Sequence, residues 1–380
     1  MHRKSAYFLC LAVLGMLVIG IVMLFSTSAF AQDSKGDPLF FVKRQSVWLV
    51  AGILACVVAA LTDYHLWGRT WWIWLGLAAI TLALCYVPGV GVRLNGSRRW
   101  IELASARFQP SEFARIAVVF FLAWWFVKYE KESGRLLKGF VAPMAIVGVI
   151  VVLIAFEVDL GTTALVGATT LVVMFIAGTN PFVLGLLSMG GLASILFVAT
   201  TMPERMGRLT AFMNPEQFKE GAGLQQYNAL LAWGSGGMEG LGLGQGRQKM
   251  LYLPYAHTDF IFPMIGEELG LRMSLLVVFL FVVIIVCGLT IALHAKDRFG
   301  LLLGSGLVAL LALQAAVNIG VTTSLLPNKG LPLPFISYGG SNLIACFFAV
   351  GVLLSIYRQA VLEPATNKRT LLRARTTPRI

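Results

Sequence analysis

Ten apolar runs, each near the length of a membrane-crossing helix, follow one another along this chain of 380 residues. They cover roughly residues 6–30, 46–62, 71–88, 110–127, 140–156, 160–178, 181–200, 273–293, 299–323 and 336–357. A helix rises about 1.5 Å per residue, so about 20 apolar residues cross a hydrocarbon layer of about 30 Å. The fold class expected is therefore all-α: a polytopic integral membrane protein with about ten transmembrane helices. Composition points the same way. Hydrophobic residues make up 58% of the chain, charged residues only 13%, and the mean hydropathy is +0.80. A soluble domain would be about a quarter charged.

Where the runs break is informative. The abutting pair at 140–178 is interrupted only by Glu157-Val158-Asp159-Leu160-Gly161-Thr162. Two carboxylates at mid-membrane would be very costly, so this is a hairpin tip at an interface. Near the N-terminus, Arg3 and Lys4, an apolar run and Ala29-Phe30-Ala31 imitate a cleavable signal. That run is nearer 20 residues than the roughly 7–15 of a signal core, so a retained first span is expected. Residues 1–360 then form one multi-span domain and 361–380 a basic tail. Between spans 7 and 8 lies one long connection, residues 201–272, which holds much of the polar chemistry of the chain.

The formal net charge is +12. The basic residues sit at the ends of apolar runs, which favours lipid head groups or an anionic lipid over nucleic acid. An N-terminus in the cytoplasm places Lys128, Lys131, Arg135, Lys138 and the tail inside, and the 201–272 connection outside. The outer face is nonetheless basic too, with Arg98, Arg99, Arg107, Arg247, Lys249 and Lys329. Membrane lipids anchoring these cations is one explanation. An anionic substrate is the more economical one, because guanidinium forks grip phosphate oxygens. The five cysteines all fall in apolar runs, which leaves neither a disulfide framework nor a thiolate metal site to expect.

Two polar stretches carry candidate chemistry. In the first, Asn95-Gly96-Ser97-Arg98-Arg99-Trp100-Ile101 precedes Arg107-Phe108-Gln109-Pro110-Ser111-Glu112. Pro110 suits the first position of a helix, with Glu112 in the first turn where a carboxylate suits the dipole. Arg115 then falls one turn inside and needs a carboxylate or a ligand. The second stretch is glycine-rich, from Gly234 to Gly246. No strand precedes it, so it fails as a dinucleotide loop and reads as tight turning beside membrane helices. Farther on stand His257-Thr258-Asp259 and the pair Glu267-Glu268. His257 has no second histidine near it, which disfavours a metal site. Asp259 is flanked by Phe260, Ile261 and Phe262, an apolar setting that raises a carboxyl pKa unless a cation balances it. Beside a bound phosphate lipid it is a general-base candidate. A structural salt bridge to a loop arginine is the alternative.

These motifs, with Asp159-Leu160-Gly161-Thr162, Gly242-Leu243-Gly244-Gln245-Gly246-Arg247-Gln248-Lys249, Gly266-Glu267-Glu268-Leu269-Gly270 and Pro332-Leu333-Pro334-Phe335-Ile336-Ser337-Tyr338-Gly339-Gly340, resemble the SEDS family of bacteria. This is the shape, elongation, division and sporulation family that includes FtsW, RodA and SpoVE. The stretches around Asp37-Pro38 and Leu326-Pro327-Asn328-Lys329 resemble FtsW and SpoVE more than RodA. The resemblance implies a peptidoglycan glycosyltransferase that polymerises lipid II at the outer face of the cytoplasmic membrane, partnered with a class B penicillin-binding protein and other divisome proteins. It puts the family's required aspartate on Asp259. It makes Arg98, Arg107, Gln109, Arg115, Asp159, Arg247, Lys249, His257, Glu268, Lys329 and Ser337 candidate contacts for lipid pyrophosphate or sugar. It implies no covalently bound cofactor but allows a divalent cation, for which no cage is visible in the sequence. The sequence departs from the family pattern at Val158, Tyr255 and Pro263, and Pro263 is expected to break a helix. A lipid II flippase and a division scaffold are the competing functions. Crowding of the polar residues on one face, with no obvious internal repeat, favours surface chemistry over a passage.

Overall fold

The computed structural model describes residues 2–28, 37, 39–94, 97–103, 106–201, 203–250, 253 and 256–362. The basic tail, Asn95-Gly96 and Tyr255 lie outside the described residues. The chain opens with α1 (His2–Ser28), α2 (Phe40–Leu61), the short α3 (His65–Arg69) and α4 (Trp71–Leu84). Strands β1 (Gly91–Leu94), β2 (Ser97–Leu103) and β3 (Ala106–Phe108) follow, then α5 (Pro110–Lys128). A π-helical turn, Leu137–Val141, runs into α6 (Ala142–Phe156), after which come α7 (Leu160–Ala177) and α8 (Pro181–Thr201). The long connection holds α9 (Pro203–Met213) and α10 (Leu224–Gly236). Three long helices finish the fold: α11 (Ile261–Leu293), α12 (Arg298–Thr322) and α13 (Gly340–Leu362).

Among the described residues, eight helical segments are long and apolar enough to cross a membrane, and two shorter apolar helices, Trp71–Leu84 and Pro181–Gly191, accompany them. Each expected run is therefore helical, eight of them at full span length. The protein is a mostly helical, multi-pass membrane protein. Its middle is formed by α5, α12 and α13, while α2 lies outside, with 17% of its span window buried against 78% for α5. Small residues allow the closest approaches. A Cβ on Gly351 of α13 would collide with the Cys56 carbonyl of α2, and one on Gly52 would come within 2.7 Å of the Phe347 ring.

The first span is part of this core. Leu9, Met16 and Met23 of α1 are fully buried, and Gly20 lies against the Ile336 backbone, which a Cβ would approach to 2.9 Å. Cleavage after Ala31 would remove all of these contacts.

Local chemistry sets the helix starts. Pro110 opens α5, with Glu112 in the first turn and Lys128 in the last, the arrangement that complements the helix dipole. Asp159 caps α7 by accepting from the Thr162 amide at 3.0 Å, and Asp297 caps α12 through the Gly300 amide at 2.9 Å. Pro263 does not break a helix. It falls in the first turn of α11, where its missing N–H has no intrahelical partner to lose.

Two parts of the fold were not expected. The stretch before α5 is not an irregular loop but a three-stranded antiparallel sheet, β1-β2-β3, with Glu102 opposite Arg107. The 201–272 connection also ends early, since α11 already begins at Ile261. Gly270, at φ 78°, breaks that helix internally. The break frees the carbonyls of Glu267 and Glu268, which accept from the amides of Leu241 and Gly242 at 2.9 and 3.0 Å. Glu267 and Glu268 themselves look like loop residues in the sequence because they are charged. In the fold their charges are met by donors from the glycine-rich loop.

Candidate functional site

A cavity of about 840 Å³ opens at the end of the bundle that carries the long connection. The helices that wall it contribute only residues near their N-terminal ends: Phe41, Arg44 and Trp48 from α2, Glu112 from α5 with its N-cap Gln109, Thr162 from α7, and Gly340 to Asn342 from α13. The sheet supplies Arg99, Trp100, Glu102 and Arg107. His257, Thr258 and Asp259 enter just ahead of α11, and Gly330 to Pro332 just ahead of α13. Three guanidinium groups, Arg44, Arg99 and Arg107, thus share the cavity with three carboxylates, Glu102, Glu112 and Asp259.

Asp259 is half-buried in the cavity wall. Its carbonyl accepts from Asn318 Nδ2 at 2.8 Å, which fixes its backbone to α12. Its carboxylate lies over Gly330, where a Cβ would come within 2.5 Å of Oδ2. Only glycine leaves that oxygen its place. Burial pushes the Asp259 carboxyl up to about 6, with the Arg99 charge opposing the shift and Asp159 adding to it. Among the described residues, no cation stands within ion-pair distance of Asp259, so the structural salt bridge is not formed. His257 stacks on Phe41 at 4.2 Å with Tyr338 tilted beside it at 5.9 Å, and its carbonyl accepts from the Tyr338 amide. Ser337 donates to the Thr258 carbonyl at 2.6 Å while accepting from the Leu333 amide at 2.8 Å, tying the 333–338 segment to the strip that carries Asp259.

Beneath the cavity, Asp159 is 5% exposed. Besides capping α7 it accepts from Thr162 Oγ1 at 2.9 Å and Gln109 Nε2 at 3.4 Å, and it stands 3.6 Å from Arg99. Its role in this geometry is to position Arg99 and Gln109.

The other sequence candidates separate into groups. Arg107, Gln109 and His257 line the cavity together with Asp259. Lys329 is half-buried next to Gly330 but not in the wall, and Ser337 acts from behind it. Five do not reach the cavity. Arg98 is exposed, Arg247 is exposed with its amide on Glu267 at 2.8 Å, and Lys249 is buried in an ion pair with Glu268 at 2.6 Å. Arg115, buried in α5, pairs with Glu112 and donates to Asn342 Oδ1 at 2.9 Å. The ligand it needed is thus a carboxylate of its own helix. Glu268 likewise serves the loop: it accepts from Ser26 Oγ at 2.6 and 2.8 Å and from the Gly244 amide at 2.9 Å.

Sequence reasoning missed Arg99 as the inward arginine. The signal was the strand period, since Ser97 and Ile101, two residues to either side, are both buried. Arg44 was also missed. It stands over the Phe40 ring at 4.6 Å, at the cavity mouth. Among the described residues no three His, Cys, Asp or Glu side chains converge as metal ligands.

Comparison with known proteins bears on this geometry. The family model described as cell cycle protein, FtsW/RodA/SpoVE, matches residues 6–361. The chain is 38% identical to the probable peptidoglycan glycosyltransferase FtsW of Trichlorobacter lovleyi, over 95% of each chain. It is 39% identical to the stage V sporulation protein E of Bacillus subtilis, over 90% of this chain and 94% of that one. Among solved structures, it is similar to a chain from work on polymerization and crosslinking by a peptidoglycan synthase complex, with TM-score 0.77, 25% identity and coverage of 94% and 98%. It is also similar to the rod shape determining protein RodA of Thermus thermophilus, with TM-score 0.69, 26% identity and coverage of 93% and 97%.

Proposed function

The chain belongs to the FtsW/RodA/SpoVE family, and from that premise we propose that it is a peptidoglycan glycosyltransferase that polymerises lipid II, with Asp259 as general base. The observation that carries the assignment is the setting of Asp259: a carboxylate with no ion-pair partner among the described residues, given room by Gly330, in a cavity that also holds three arginines. A sugar hydroxyl of one lipid II attacks the anomeric carbon of the other glycan. Asp259 takes the hydroxyl proton as the new C–O bond forms. The bond from the anomeric carbon to the pyrophosphate oxygen breaks, and the leaving polyprenyl pyrophosphate keeps the electron pair. Arg99, Arg107 and Arg44 are the cations suited to its growing charge. Aromatic walls at Trp48, Trp100 and Tyr338 offer flat surfaces to sugars.

The cavity faces the outside of the cytoplasmic membrane, with both termini in the cytoplasm. Its partner is a class B penicillin-binding protein that crosslinks the product. The likeness to a chain of a synthase complex that couples polymerization to crosslinking supports that pairing. The geometry favours chemistry over passage, since each lining helix gives only its first turns at one end of the bundle.

Glycan assembly from labelled lipid II by purified protein tests the assignment. Asp259→Asn is expected to abolish polymerisation while lipid II binding and thermal stability stay near wild type. In the wild type the base form is lost as pH falls through about 6, so the rate should drop on that acid side. Full activity in a folded Asp259→Asn protein would end the catalytic assignment.

A further inference from the structure

The hairpin tip between α6 and α7 holds a carboxylate that the mechanism above does not use. Val158 there has φ 67°, a left-handed conformation that a β-branched residue rarely adopts. The resulting turn leaves Val158 53% exposed and sends both its neighbours inward, Glu157 to 1% and Asp159 to 5% exposure. Asp159 is fully employed as helix cap and as partner of Gln109 and Arg99. Glu157 is not. Both of its oxygens are buried with the Cys85 thiol, a weak donor, as their neighbour and no ion pair among the described residues, a state far less costly for a neutral acid than for an anion. Burial pushes its carboxyl up to about 8, with the adjacent Cys85 thiol and Arg99 opposing and Asp159 adding. Tyr86 also feels its charge.

Arg99 has the matching surplus. Its Nε is buried with no acceptor, its contact with Asp159 is long at 3.6 Å, and it acts electrostatically on Glu157 and Asp259 alike. One guanidinium is therefore poised between the hairpin tip and the cavity.

We propose that Glu157 is a positioning residue for polymerisation: in its acid form it leaves Arg99 to Asp159 and the cavity, and once ionised it draws that guanidinium back toward the hairpin tip. The proton is lost to bulk solvent, and the pyrophosphate loses a cation. This rests on the glycosyltransferase function proposed above, so its test separates the two. Polymerisation and lipid II binding are measured with purified protein from pH 6 to pH 10, in wild type, Glu157→Gln and Glu157→Met.

A group titrating at about 8 is about 90% ionised one unit higher, so the wild type should lose roughly tenfold between pH 7 and pH 9. Both variants, which cannot ionise, should match the wild type at pH 7 and hold their rate at pH 9. An equal alkaline loss in either folded variant overturns the proposal, as does a folded Glu157→Gln that is inactive at pH 7. Infrared difference spectra of wild type against Glu157→Met give a second readout that needs no activity. The carbonyl band of a protonated acid should be present at pH 6 and fade with a midpoint near 8. A band absent at pH 6, or undiminished at pH 10, also overturns it. A wild type that makes no glycan at any pH while this band titrates as expected fails the glycosyltransferase assignment instead.

Discussion

Arg98 and Arg99 are adjacent and chemically alike, yet the pleat of β2 turns one to solvent and the other toward Asp159 and the cavity. This yields a paired prediction. Arg99→Ala should cost about 1.5–3 kcal/mol of a charge-assisted contact, a tenfold to hundredfold loss in polymerisation at limiting lipid II. Arg99→Lys should recover part of it, because the fork is lost but the charge stays. Arg98→Ala should change the rate by less than about twofold. Equal losses in the two alanine variants would mean that the outer face, not the cavity, holds the pyrophosphate. Asp259 could be read from the sequence because a carboxylate wedged among Phe260, Ile261 and Phe262 is chemically odd wherever it sits. Gly330 could not, since the need for an absent side chain shows only once Asp259 Oδ2 is in place 2.5 Å from where a Cβ would be.

At the scale of elements, the glycine-rich loop is held to the bundle by one buried cluster. Lys249 Nζ lies 2.6 Å from Glu268 Oε1 and 2.6 Å from Ser26 Oγ, while Glu267 accepts from the amides of Arg247 and Gln248. Removing one partner of a buried ion pair leaves the other uncompensated, typically at ~3–5 kcal/mol. Lys249→Met should therefore lower the thermal midpoint strongly, and Lys249→Met with Glu268→Gln should regain much of the loss. Thermal denaturation in detergent checks this, and a double variant no more stable than the single one would argue against the pairing. Helix positions were legible because each apolar run is long and uniform. The sheet was not, because residues 91–108 are short, charged and too brief to show a clear period. Its hydrogen bonds come from pairing, which composition does not report. The start of α11 was hidden for a related reason: Glu267-Glu268 look like loop residues until the loop amides that satisfy them are seen.

For the whole molecule, the arrangement predicts a sidedness. Met238→Cys, exposed beyond α10, should react with a membrane-impermeant maleimide in intact cells, and Lys131→Cys, exposed beyond α5, only after permeabilisation. The reverse pattern would invert the orientation. The apolar helices were legible because hydrophobic length is a local property, though among the described residues eight of them reach full span length. The cavity was not, since its walls come from the starts of four helices far apart in the chain. That separation also matters while the protein is being made. Ser26 and Glu268 are 242 residues apart, an interval that takes on the order of tens of seconds at ~5–20 residues per second of synthesis. Throughout it, the face of α1 bearing Gly20 and Ser26 must be sheltered by lipid or by the insertion machinery. A membrane chaperone acting on this protein would therefore find its earliest and longest-waiting client surface on the first helix.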